Sequence, residues 1–151
     1  MRAILATVGT RGDVQPMLAL AVGGADLFEA GRAPEGFFAL RGAPFAKLFP
    51  RVAVAVHHGG AGTLALALRA GVPQVVLPMM LDQHHHAHGL VRAGLAPSAP
   101  PMKKVTSARL ARVITEALAL PPEPRDAAAR RCRSGDAAAA ILGRLDGMLE
   151  G

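Results

Sequence analysis

The sequence predicts an α/β domain, a parallel sheet with flanking helices, and three observations carry that expectation. The apolar, largely β-branched runs at 51–57 and 74–77 have the composition of strands buried on both faces. Between them a cluster of glycines is followed by Leu, Ala and Arg, all good helix formers. A strand, a helix and a second strand form a crossover that is right-handed, so both strands end at the same edge of the sheet.

The totals suit such a domain. A chain of 151 residues holds one ordinary domain with a real core and is too short for two. Hydrophobic residues make up 51% and charged residues 19%, which excludes a disordered chain. No apolar run approaches the ~20 residues needed to span a bilayer, and the N-terminal run is soon broken by Arg11 and Asp13, unlike a secretory leader. The single cysteine, Cys132, makes no internal disulfide, and a cytoplasmic location is expected. A net charge of +6 raises the question of nucleic acid. The basic residues are scattered except at 125–133, and there is no Trp or Tyr to stack on bases, so no nucleic-acid partner is expected. Positive charge serves a diphosphate equally well.

Taken in order, residues 2–8 read as a strand that stops at Gly9. Gly-Thr-Arg-Gly-Asp-Val-Gln-Pro follows at 9–16, and a helix is expected from about Met17, with Pro16 suited to its first turn. Asp13 would favour that helix start through the dipole. Residues 37–40 form another short strand, and 45–49 a single helical turn closed by Pro50.

The stretch from 51 to 83 carries the chemistry. Gly59, Gly60 and Gly62 allow a sharp turn and close approach of a ligand to main-chain amides. The helix that begins there, expected over 63–70, presents unsatisfied N–H groups and a partial positive charge, a site for phosphate. His58 adds a donor. Gly71 and Pro73 end the helix, and Pro78 ends the second strand. The next loop carries Asp82 and Gln83, the acceptors and donors that hydroxyl groups need. Phosphate at one loop and hydroxyls at the other describe a nucleotide or a nucleotide-sugar.

Two patterns compete for these residues. Residues 60–65 fit the G-x-G-x-x-G/A pattern of dinucleotide folds, with Asp82 where a ribose-binding acid is expected. That pattern does not require His58 or Gln83. The run His57-His58-Gly59-Gly60-Ala61-Gly62-Thr63, then Arg69-Ala70-Gly71-Val72-Pro73, then Pro78 through Asp82-Gln83, closely resembles the donor motif of bacterial family-1 UDP-glycosyltransferases, enzymes that glycosylate sterols, macrolides and other natural products. The 9–16 opening and the 43–52 passage resemble the same family.

The resemblance implies a Rossmann-like fold of the GT-B type, with 1–36 as a remnant of the acceptor domain and 37–151 as the nucleotide-sugar domain. It implies that His58, Gly60, Gly62 and Thr63 hold the donor diphosphate, that Asp82 and Gln83 hold sugar hydroxyls, and that Asp13 is the general base on a lipophilic acceptor. UDP-sugar or TDP-sugar would be substrate, with no cofactor and no metal. The Glu by which plant relatives grip ribose falls at Leu66, so UDP is only the nearer choice. Most of the family's acceptor domain is absent between the opening and the donor half, which predicts an internally truncated enzyme of low or no activity. A homodimer would rebuild a cleft, and peripheral membrane contact would come through the acceptor. A non-catalytic nucleotide-sugar binder and an NAD-type oxidoreductase domain remain as alternatives.

His84, His85, His86 and His88 follow the Asp-Gln pair. His84 and His88 lie one helical turn apart, a spacing that can bind zinc, but no third ligand recurs nearby and a partly solvated helix start is expected. Residues 95–102 are Pro-rich and extended. Thr106 or Ser107 caps a helix whose Leu110, Val113, Ile114, Ala117 and Leu118 follow helical spacing. Residues 126–133 and 137–149 read as two further helices, with Cys132 packed among arginines.

Overall fold

The computed structural model describes residues 4–8, 18–22, 37–40 and 44–135. Five strands form one sheet: β1 (Ile4–Val8), β2 (Leu18–Val22), β3 (Phe37–Leu40), β4 (Ala55–His57) and β5 (Gln74–Val76), in the order β3-β2-β1-β4-β5. Parallel pairing holds for β4 with β5 and for β2 with β3. β1 runs antiparallel to both β2 and β4, so the sheet as a whole is mixed.

Residues 18–22, expected as helix from about Met17, form a strand. They are an unbroken apolar run ended by Gly23-Gly24, with no polar face for an amphipathic helix. The connection 9–17 is also shorter than the dozen or more residues a parallel crossover needs, so antiparallel pairing with β1 is what this linkage allows.

The helices are α1 (Phe45–Leu48), α2 (Ala61–Ala70), α3 (Leu81–Arg92), α4 (Ser107–Ala119) and α5 (Pro122–Ser134). Short 3-10 turns occupy Phe49–Arg51 and Met102–Lys104. The first takes the beginning of the expected 51–57 strand, because Pro50 favours a helical turn and supplies no N–H to a ladder. α2 ends as expected at Gly71, in the left-handed conformation at φ 67°. Thr106 Oγ1 caps α4 by accepting from the Arg109 amide at 3.3 Å. α5 begins at Pro122 rather than near 126, since a proline at the first helical position gives up an N–H that would have no intrahelical partner. The helix expected over 137–149 lies outside the described residues.

Both faces of the β4–β5 pair are covered, which explains the continuous burial of both strands. On one face Ala55 packs with Phe49, Val52, Ala67 and Val72 beneath α1 and α2, and Leu66 borders this cluster. Val76 on the same face meets Leu90 and Ala96. On the other face Val54, Val56 and Val75 pack against Val113, Ile114 and Ala117 of α4. α5 lies against α2, where Arg69 Nη1 donates to the Cys132 carbonyl at 3.1 Å and Arg133 Nη1 donates to the Arg69 carbonyl at 2.7 Å. Each cation thus meets carbonyls at a helix C-terminus, the negative end of the dipole. Among the described residues no helix is long and apolar enough to cross a membrane.

Candidate functional site

The site is built at the edge where β4 and β5 end. β4 stops at His57, and the chain turns through Gly59 at φ 92° before α2 starts behind Gly60. Only glycine adopts that φ freely, and a Cβ at position 59 would stand 2.8 Å from Val76 Cγ1. The turn is therefore both conformationally and sterically reserved for glycine.

His57 fixes the turn. It is fully buried, and its Nε2 and the Oε1 of Gln74 lie 3.0 Å apart on the same face of the sheet, a diagonal pair across β4 and β5. The Gly59 amide donates to His57 Nδ1 at 3.1 Å. An accepting Nδ1 is unprotonated, so Nε2 carries the hydrogen and donates to Gln74. Burial drives the His57 pKa down from 6.5 to about 4, opposed by the Gln74 bond and aided by the proximity of His58. This histidine is neutral and structural.

The beginning of α2 is open and electropositive. Gly60 is its N-cap, no side chain caps it, and its first turn contains no acidic residue. The amides of Ala61, Gly62 and Thr63 thus lie at a helix N-terminus whose first turn has no carboxylate to offset the dipole. A Cβ built at Gly60 would fall 2.5 Å from His58 Nε2, so the His58 ring lies over the N-cap. A Cβ at Gly62 would meet nothing within 4 Å among the described residues. Glycine there costs a helix about 1 kcal/mol relative to alanine without relieving any internal crowding. Thr63 is buried, leaving its backbone amide as the group directed to the helix end.

The second loop closes against the first. The Oε1 of Gln83 accepts from the Met79 amide at 2.9 Å and the Met80 amide at 3.3 Å, fixing the turn into α3. That leaves the Nε2 amide as the donor end of the Gln83 side chain. Asp82 is exposed in the first turn of α3. Leu81 just before it is 86% exposed with φ 29°, a conformation unfavourable for a bulky residue and held by this tight turn.

The Gly59 carbonyl accepts from His86 Nδ1 at 2.8 Å, and a Cβ at Gly59 would lie 3.4 Å from the Gln83 carbonyl oxygen. The structure thus places His58 and Gly60 in the glycine turn, Gly62 and Thr63 in the first turn of α2, and Asp82 and Gln83 in the first turn of α3, which meets that glycine turn at Gly59. Asp13 lies outside the described residues. Sequence reasoning did not single out His57 or His86 as structural ligands of the glycine loop. The available signals were His57 and Gln74 as polar residues in otherwise apolar strands, and His86 standing one helical turn beyond Gln83.

Residues 7–140 match the family described as "Erythromycin biosynthesis protein CIII-like, C-terminal domain". The chain is 40% identical to the elloramycin glycosyltransferase ElmGT of Streptomyces olivaceus over 74% of its own length and 31% of that protein's. It is 38% identical to the O-mycaminosyltylonolide 6-deoxyallosyltransferase of Streptomyces fradiae, over 82% of this chain and 28% of the relative. Among solved structures, the glycotransferase of kitacinnamycin superposes with a TM-score of 0.67 at 30% identity, covering 79% of this chain and 32% of that one. The glycosyltransferase SnogD from Streptomyces nogalater does so with a TM-score of 0.61 at 25% identity, covering 85% and 35%. The chain thus spans about a third of the length of these four proteins.

Proposed function

Because the chain belongs to the erythromycin biosynthesis protein CIII-like C-terminal domain family, we propose that it is the nucleotide-sugar-binding half of a GT-B glycosyltransferase acting on a lipophilic acceptor hydroxyl. The observation that carries this reading is the contact between two loops of different chemistry. One is an uncapped, acid-free helix start under His58, and the other is the Asp82-Gln83 turn that meets it at Gly59. Such a helix start attracts phosphate, and a carboxylate beside an amide suits sugar hydroxyls. The open space above Gly62 lets a ligand reach the amides of α2.

In the reaction, the acceptor oxygen attacks the anomeric carbon with inversion and its proton passes to the Asp13 carboxylate. The bond from that carbon to the diphosphate oxygen breaks. Charge growing on the departing diphosphate is met by the Gly62 and Thr63 amides and by His58, electrostatic stabilisation supplied by the protein's own groups. Asp82 and the Gln83 Nε2 hold the hexose in place. A UDP-sugar or TDP-sugar is the donor class, and the antibiotic and sterol glycosyltransferases among the relatives support a lipophilic acceptor.

The second reading, a binder of nucleotide-sugar with low or no turnover, is favoured by the brevity of the sequence between the 9–16 opening and the donor half. An acceptor domain shortened in this way would shield and position the reactants poorly.

Calorimetric titration with UDP, TDP, UDP-glucose and NAD tests the site. UDP or TDP should bind, and His58→Ala should weaken binding about ten- to a hundredfold, the value of a hydrogen bond to a charged group. Binding of NAD alone would overturn the reading. Turnover of a lipophilic alcohol that disappears in Asp13→Asn at unchanged donor affinity selects the enzyme; donor binding without turnover selects the binder.

A further inference from the structure

We propose that His86 is a positioning residue for the donor diphosphate, acting with His57 as a two-histidine clamp on the peptide planes either side of Gly59. The inference rests on the donor reading above and extends it to residues outside the binding set.

The two planes that flank Gly59 are each held by one ring. The His58–Gly59 plane is held through its N–H, which donates to His57 Nδ1 at 3.1 Å. The Gly59–Gly60 plane is held through its carbonyl, which accepts from His86 Nδ1 at 2.8 Å. Glycine at φ 92° has no Cβ to restrict its torsions, so these bonds restrain both planes directly.

The consequence reaches the ligand through the geometry of a trans peptide, in which N–H and C=O point in opposite directions. Drawing the Gly59 oxygen towards α3 turns the Gly60 N–H away from α3, and Gly60 is the N-cap from which the α2 amides are launched. His86 is half-buried on the helix whose first turn carries Asp82 and Gln83. One side chain therefore ties the sugar-side helix to the phosphate-side loop at a fixed spacing, which a diphosphate-sugar held by both would require.

Three variants test this. His86→Ala removes the donor, His86→Asn keeps an N–H close to the place of Nδ1, and His86→Gln moves it beyond reach. In His86→Ala, UDP affinity should fall about three- to tenfold, the value of one neutral hydrogen bond, while uridine affinity measured by ligand-observed NMR stays within about twofold. His86→Asn should restore UDP affinity and His86→Gln should not. Equal losses for UDP and uridine, an unchanged UDP affinity, or absence of rescue by asparagine would overturn the proposal.

Amide hydrogen exchange on the same proteins separates this failure from that of the donor reading. Exchange over 58–63 should quicken in His86→Ala while α4 is unaffected, and unchanged exchange there overturns the clamp whatever the ligand. A wild-type protein that binds no UDP removes the donor reading, and with it the diphosphate role, leaving the exchange result to judge the clamp alone.

Discussion

Lowering the pH from neutrality to about 4.5 should destabilise this domain through His57. In the folded protein its pKa is about 4, against 6.5 for an ordinary histidine, because the ring is buried, an effect the Gln74 bond opposes and the nearby His58 reinforces. An unfolded chain takes up that proton as the pH falls through 6.5, whereas the native state resists it until about pH 4. The unfolded state binds more protons throughout this window, so stability rises with pH across it. The contribution is complete above about pH 6.5 and is lost as pH falls towards 4. At about 1.4 kcal/mol per pKa unit the shift amounts to roughly 3 kcal/mol, a large part of the 5–15 kcal/mol typical of a domain. Urea denaturation at a series of pH values measures the slope, and His57→Gln should flatten it. Nitrogen chemical shifts of the imidazole provide the direct observation: His57 should remain neutral, with the hydrogen on Nε2, down to about pH 5. A His57 that titrates near 6.5, or that carries its hydrogen on Nδ1, would refute the reasoning.

Two further outcomes follow from the packing. Gly59→Ala combines a left-handed backbone with a Cβ 2.8 Å from Val76 Cγ1, and should lower unfolding free energy by about 2–4 kcal/mol in chemical denaturation. Phe49→Ala removes a fully buried ring stacked on Phe45 at a centroid distance of 5.2 Å, and a loss of about 3–5 kcal/mol is expected from the same measurement.

The elloramycin glycosyltransferase and the O-mycaminosyltylonolide 6-deoxyallosyltransferase are about three times the length of this chain. The β4–β5 pair with α2 between them contains its own two-sided core, from Phe49 and Ala67 on one face to Val75 and Val113 on the other. That arrangement brings the glycine loop and the Asp82-Gln83 turn to one edge of the β4–β5 pair, with β1 paired to β4 on its other side.

Local pattern alone was enough for the crossover unit. Apolar runs, a glycine cluster, a stretch of helix formers and the Gly71-Val72-Pro73 stop are each read within a few residues, and together they place both loops at one sheet edge. The cap of α4 at Thr106 is equally local. The strand at 18–22 was not legible, because an apolar run of that length has no period of its own and takes its conformation from the partner it pairs with. His86 was not legible either, since four histidines in a row of five positions look alike until packing turns one of them towards Gly59. Residue type and spacing determined which groups are available to a diphosphate and a sugar. Only tertiary contact decided which histidine hardens the glycine loop, because hydrogen bonds between residues far apart in sequence exist only after the sheet edge has brought them together.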